Sequence, residues 1–427
     1  MGIMYVRNED LDNNGKLRSA APIEPLILRA NAGDCINVNL TNAIDPTSLV
    51  LQHNFNWPSP FKPPITQKMS SYVGLHPQLL SYDAAKSFGM NIGWNSKGNS
   101  DQVAGFGKTV KYQWYAGKID IGPNGKLAHT AVEFGALNLF ASDPLFQHPN
   151  GLFGQMIVEP QDAKVFCGDI GSNTPCDQAS NADPLPPTRA QADVKSAGGD
   201  YREFSVMISD ALRSAGGPPV NGKPGSGTTS AINYRSEPAI VRVPGFVDTS
   251  CFSSNILDVP GSSPAGEPLT PIFTATPGSQ VRFRMTHPLG TGDSQVFVVH
   301  GHNWQRNPYQ KNSLIISNNN LSQWLGSRDN HGSSDHFDLV ISSAGGTNKV
   351  QGDYLYTAFL PDQASLGAWG LFRVGDPGKG PDPNARCSAK PAQAQPSLGP
   401  PPAPQPAIQD LQDRFRRHPL NPGGGRP

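Results

Sequence analysis

The chain has 427 residues, more than one ordinary hydrophobic core accommodates, so two packed domains with appendages are expected. Glycine (45) and proline (42) are abundant, charged residues are only 16% and the formal net charge is zero, which argues against charge-driven binding to nucleic acid or a membrane surface. No apolar run approaches the roughly 18 to 20 residues needed to cross a bilayer, so no membrane span is expected. The opening residues, Met1-Gly-Ile-Met-Tyr-Val-Arg, lack the basic and apolar regions of a secretory leader. Either the mature chain begins here or the sequence is the downstream part of a longer exported chain. Short alternating or β-branched runs then follow one another at 26–29, 36–40, Thr109–Tyr115, 204–208, 281–285, 296–300 and 337–341. Clusters of Gly, Pro, Asn and Ser separate them, the pattern of an all-β sandwich or barrel. From about Asp376 the composition turns to Pro, Ala, Gln and Gly, too poor in apolar groups to offset its ordering entropy, so residues 376–427 read as a disordered tail. The best helix candidate, 408–417, lies in that tail and is marginal in length.

Five cysteines, at 35, 167, 176, 251 and 387, fit neither a zinc ribbon nor a C-x-x-C redox pair. Cys167 and Cys176 bracket a turn-rich loop and are a candidate disulfide, which fits an oxidising compartment; buried thiols are the alternative. An internal repeat organises the strands. Ala30-Asn-Ala-Gly-Asp-Cys-Ile-Asn-Val-Asn-Leu40 matches Ala275-Thr-Pro-Gly-Ser-Gln-Val-Arg-Phe-Arg-Met285, a glycine turn followed by a strand with one apolar face. Gly151-Leu-Phe-Gly-Gln-Met-Ile-Val158 later matches Ala368-Trp-Gly-Leu-Phe-Arg-Val374. The same order twice points to duplication. One domain is placed at 1–160 and another at 198–375, joined by a Pro/Asp/Ala-rich stretch over 161–197.

Those segments, with His300-Gly-His-Asn-Trp-Gln-Arg-Asn-Pro-Tyr309 and Gln351-Gly-Asp-Tyr-Leu-Tyr356, resemble the cupredoxin domains of multicopper oxidases, and within that family the large bacterial enzymes associated with manganese oxidation. The resemblance covers roughly 350 residues and implies two tandem cupredoxin-like Greek-key β-sandwich domains. It also implies copper as cofactor: a type 1 centre needing a thiolate and two imidazoles, and a trinuclear cluster fed by four H-x-H pairs. A strand sets residues i and i+2 on one face, where both reach a metal.

Carried over residue by residue, the ligand set is incomplete. The first pair falls at His76 and Gln78, or at Gly74 and His76 if the alignment shifts by two. The second falls at Phe140 and Ser142, and the third motif places Gln295, Val298 and His300 at ligand positions. The fourth places Thr357, Ala358 and Phe359 where histidine, the copper thiolate and histidine belong. Copper is therefore expected to be absent or incomplete in this chain.

A mononuclear metal site is conceivable at His300 and His302, read as sharing a strand face, with His331 and His336 ahead of the next strand. His76 is the remaining metal candidate. The alternative is that His300 and His302 are structural residues kept with the H-G-H-x-W sequence. His53 and His148 read as loop or turn residues, and no nucleophile elbow, phosphate-binding glycine loop or metalloprotease helix is found. Two functions remain open. The chain is either the non-copper-bearing portion of a larger oxidase of Mn(II) or a phenolic, with other cupredoxin domains or further copies of itself as partners, or a stand-alone degenerate tandem that binds or supports. The family implies an extracellular, periplasmic or cell-surface location.

Overall fold

Period-two burial turns the sequence pattern into sheets. In Thr109–Tyr115, Tyr112 and Trp114 point inward while Lys111 and Gln113 face solvent, as one-sided burial of a strand requires. The computed structural model describes residues 2–47, 52–55, 65–90, 102–177, 184–213, 217–220, 223–225, 228–242, 252–253, 267–290, 294–358 and 361–376. Trp57, Cys251, Phe359, Cys387, the tail and the helix candidate at 408–417 lie outside them. All seven runs read as strands are strands, and the described residues form the all-β sandwich architecture expected from the sequence.

The repeat has a direct structural counterpart. In the first half, strand Leu26–Asn31 lies parallel to Phe153–Glu159, which runs antiparallel to Gly135–Ala141. In the second half, Ile272–Ala275 lies parallel to Trp369–Val374, which runs antiparallel to Gly352–Ala358. Each opening strand turns through a glycine at positive φ, Gly33 (94°) and Gly278 (81°), a conformation that favours glycine because other residues carry a Cβ. The strand after the turn joins the opposite sheet: Cys35–Thr41 pairs with Thr109–Tyr115, and Val281–Leu289 pairs with His336–Ile341.

Within 161–197, strands Lys164–Cys167 and Gln191–Lys195 pair with each other and extend the sheet through Tyr201–Arg213 to Val281–Leu289. Cys167 and Cys176 are bonded there, with S–S 2.01 Å and Cα–Cα 4.8 Å, while Cys35 is an exposed thiol. Among the described residues no helix is long and apolar enough to cross a membrane.

One core fills the first half, around Trp114, Leu137, Leu139, Met156 and Val158. The other is aromatic: Phe204, Phe273, Phe283, Phe297, Tyr356 and Phe372 are all at most 1% exposed. Phe283 lies at its centre, 5.0 Å from Phe204 and 5.4 Å from Phe372 between ring centres. Trp114 and Trp304 are core residues, whereas Trp324 is exposed.

Strand Val281–Leu289 is buried on both faces. Val281, Phe283 and Met285 enter the aromatic core, while Arg282, Arg284 and Thr286 face the first half, where Glu133, Glu159 and Gln155 receive them. Gly135 allows the closest approach. It sits at φ 68°, and a Cβ there would fall 2.0 Å from the Asp338 carboxylate.

Truncating Phe283 to alanine removes the ring that the other aromatics pack around. Phe283→Ala is expected to cost about 3–5 kcal/mol, read as a lower denaturant midpoint with the disulfide intact.

Candidate functional site

The positions at which the resemblance puts copper ligands are occupied by engaged side chains. His76 donates from Nδ1 to the Phe88 carbonyl at 2.8 Å, with its ring edge-on to Phe88 at 4.9 Å and stacked on Phe140 at 6.3 Å. Phe140, the second-pair position, is its cross-strand partner. Burial lowers the pKa of His76, which keeps the imidazole neutral. Gln78 donates to the Ser334 carbonyl at 2.9 Å and accepts from Asn138 Nδ2 at 3.0 Å. Ser142 Oγ accepts from the Gly74 amide at 3.0 Å.

The third and fourth motifs meet across a ladder in which Val298 pairs with Thr357 and Phe297 with Ala358. Thr357 donates to a backbone carbonyl, that of Ala358 at 2.9 Å or Ala368 at 3.2 Å, and Ala358 is fully buried. Gln295, also fully buried, donates to Asp210 Oδ2 at 2.9 Å. A methyl group, a hydroxyl and an amide already bound to a carboxylate do not make a type 1 donor set, so the copper that the sequence resemblance implies does not fit these residues.

His300 and His302 do not share a strand face. The strand ends at Val299, and Gly301 at φ 76° turns the chain, with the His302 amide bonded to the Val299 carbonyl at 3.2 Å. His302 is then held at both ring nitrogens: Nδ1 donates to the His300 carbonyl at 3.0 Å and Nε2 accepts from the Gly345 amide at 3.0 Å. Both lone-pair directions are thereby removed from metal binding. His148 accepts from the Ala141 amide through Nε2 at 2.9 Å, and the side chain of His53 lies outside the described residues. Among the described residues no three His, Cys, Asp or Glu side chains are arranged to hold a metal ion.

A different polar group stands out. Asp210 on strand Tyr201–Arg213, His287 on Val281–Leu289, Gln295 on Gln295–Val299, His331 at the end of Arg328–His331, and Gln363 in the helix Pro361–Ser365 come together, each at most 7% exposed. Asp210 Oδ2 accepts from both glutamine amides, Gln295 at 2.9 Å and Gln363 at 3.4 Å, and Asp210 Oδ1 lies 3.9 Å from His287 Nε2. The His287 and His331 rings are 5.5 Å apart. Among the described residues, both ring nitrogens of each histidine and the two amide oxygens have no hydrogen-bond partner. Buried polar atoms of this kind require water or a polar ligand. Burial pushes the His331 imidazole down to about 3, with His287 and Arg328 adding repulsion, so it is neutral and able to donate one hydrogen bond and accept another.

Sequence reasoning found His331 but missed its companions. They come from four separate segments, none with a local motif, and only Gln295 was marked, as a position where the resemblance puts a ligand. His336 belongs elsewhere, set beside Asp338 and bonded to the Ala136 backbone.

No family model matches the sequence and no curated protein matches it. Among solved structures, a multicopper oxidase is 14% identical, covering 83% of this chain and 79% of its own, with a TM-score of 0.43. The copper nitrite reductase from Nitrosomonas europaea is 15% identical, over 86% and 90%, with a TM-score of 0.44. A laccase from Botrytis aclada is 13% identical, over 84% of this chain and 49% of its own, with a TM-score of 0.45. The first two are copper proteins by name, but at these identities and TM-scores the likeness assigns neither a family nor an activity.

The buried imidazole makes stability acid-sensitive in a defined direction. The folded pKa of His331 lies below that of the unfolded chain, so the unfolded state binds the extra proton and stability falls as pH drops from the usual imidazole range toward about 3. The loss in thermal midpoint between about pH 7 and about pH 4 is expected to be smaller in His331→Leu than in the wild type.

Proposed function

We propose that this chain is a copper-free pair of cupredoxin-like domains, spanning about 1–160 and 198–375, that serves as a structural portion of a larger multicopper-oxidase-type assembly. The observation that carries the reading is the engagement of the ligand positions. Gln295 binds Asp210, Gln78 binds Asn138 and Ser334, Thr357 binds backbone, and Ala358 stands where the thiolate belongs. The imidazole of His302 is consumed by two hydrogen bonds. In this reading any oxidation of Mn(II) or a phenolic coupled to oxygen reduction depends on copper ligands supplied by another region or chain. These domains then supply shape and interface. The Cys167–Cys176 bond supports placement in an oxidising compartment, outside the cytoplasm.

A second reading, a stand-alone binding protein, is favoured by one sequence feature. The run Gly399-Pro-Pro-Pro-Ala-Pro-Gln-Pro406 suits recognition as an extended polyproline segment.

The test is copper loading of the purified chain. After incubation with excess Cu(II) and desalting, metal analysis is expected to give well under one copper per chain, no intense blue absorption, and no oxygen uptake with Mn(II) or a phenol. Tightly held stoichiometric copper with a blue band contradicts the proposal. Binding of an isolated Pro-rich-peptide receptor domain to the full chain, with no association with other cupredoxin domains, favours the second reading.

A further inference from the structure

Where the two halves meet, buried charges do not balance. Arg284, fully buried, bonds three carboxylates: Glu159 through Nη2 at 2.6 Å, Glu203 through Nε at 2.9 Å and Asp338 through Nη1 at 3.0 Å. Arg29 adds a second guanidinium, bonded from Nε to Glu203 Oε1 at 2.8 Å. The neighbouring Arg282 is matched by Glu133 at 2.6 Å, and its guanidinium lies over the Tyr201 ring. Two guanidinium groups therefore face three carboxyl groups in a region where Glu159, Glu203 and Arg284 have no solvent exposure. An uncompensated charge there is strongly disfavoured, and a proton taken up by one carboxyl restores neutrality.

The hydrogen bonds indicate where that proton sits. Both oxygens of Glu203 accept from arginines. Glu159 Oε2 accepts from Arg284 and from the Tyr201 hydroxyl at 2.7 Å. Glu159 Oε1 alone, buried and within reach of Glu203, has no donor among the described residues. A hydrogen on that atom turns an acceptor facing an acceptor into a donor facing one.

We propose that Glu159 and Glu203 share one proton in the folded chain at neutral pH, and that this proton latches the first half to the second until alkaline pH removes it. The groups facing the pair are Arg29, Tyr201, Arg282 with Glu133, Arg284 and Asp338, drawn from both halves. Burial, reinforced by Glu203 and opposed by Arg284, raises the carboxyl of Glu159 to about 8. Glu203, held ionised against burial by Arg29 and Arg284, moves the other way. The raised folded pKa means that the stabilisation is complete below the ordinary carboxylate range and is lost as pH rises through about 8.

The experiment compares unfolding of the full-length wild type with Glu159→Gln and Glu203→Gln, either of which supplies an amide in place of the shared proton. Between about pH 5 and pH 8 the folded-to-unfolded ratio of the wild type is expected to fall relative to either variant by roughly tenfold per pH unit. Equal pH dependence in all three overturns the latch. If neither variant folds, infrared spectra of the wild type decide. A carboxylic acid band at neutral pH that vanishes on passing about pH 8, and persists at neutral pH in Glu133→Gln and Glu24→Gln, which remove two other carboxyls whose pKa burial raises, supports it. No such band overturns it.

Discussion

A single guanidinium fixes how the two halves meet. Arg284 projects from a strand whose other face carries Phe283 into the aromatic core, so the residue that anchors the interface and the one that centres the core are neighbours in sequence. Its three carboxylate partners come from strands Phe153–Glu159, Tyr201–Arg213 and His336–Ile341. Breaking one such buried pair leaves an unpaired charge at a cost of about 3–5 kcal/mol, comparable to much of the stability of a domain. A register slip by one residue would turn Arg284 into the phenylalanines and Phe283 toward Glu159. The pairing therefore selects one register from those the hydrophobic pattern permits.

That division also marks what could be read from the sequence. Strands were legible because period-two burial is local: Tyr112 and Trp114 alternate with Lys111 and Gln113 whatever lies across the sheet. The repeat was legible because Gly33 and Gly278 meet the same backbone demand and the strands around them pair alike. What covers the polar face of Val281–Leu289 was not. Alternation gives the face of Arg282 and Arg284 but cannot tell solvent from a second layer of carboxylates. The cluster around Asp210 escaped for the same reason, since contacts between residues far apart in sequence leave no spacing to detect. The one local reading that failed, a shared face for His300 and His302, failed at Gly301, whose left-handed turn ends the alternation on which the inference relied.

At positions where the resemblance puts copper ligands, Gln295 binds Asp210 and Thr357 turns to backbone, while His302 fastens the Gly345 turn, so these side chains contribute hydrogen bonds and packing. Phe283, at the centre of the aromatic core, and Arg284, between the halves, lie outside those positions.

The most direct measurement of the central claim is anomalous diffraction at the copper absorption edge from crystals soaked in Cu(II). The account predicts no copper peak within bonding distance of His76, Gln295, Thr357 or the residues beside them. A fully occupied peak at any of these positions would show that the chain still builds a copper centre, and would contradict it.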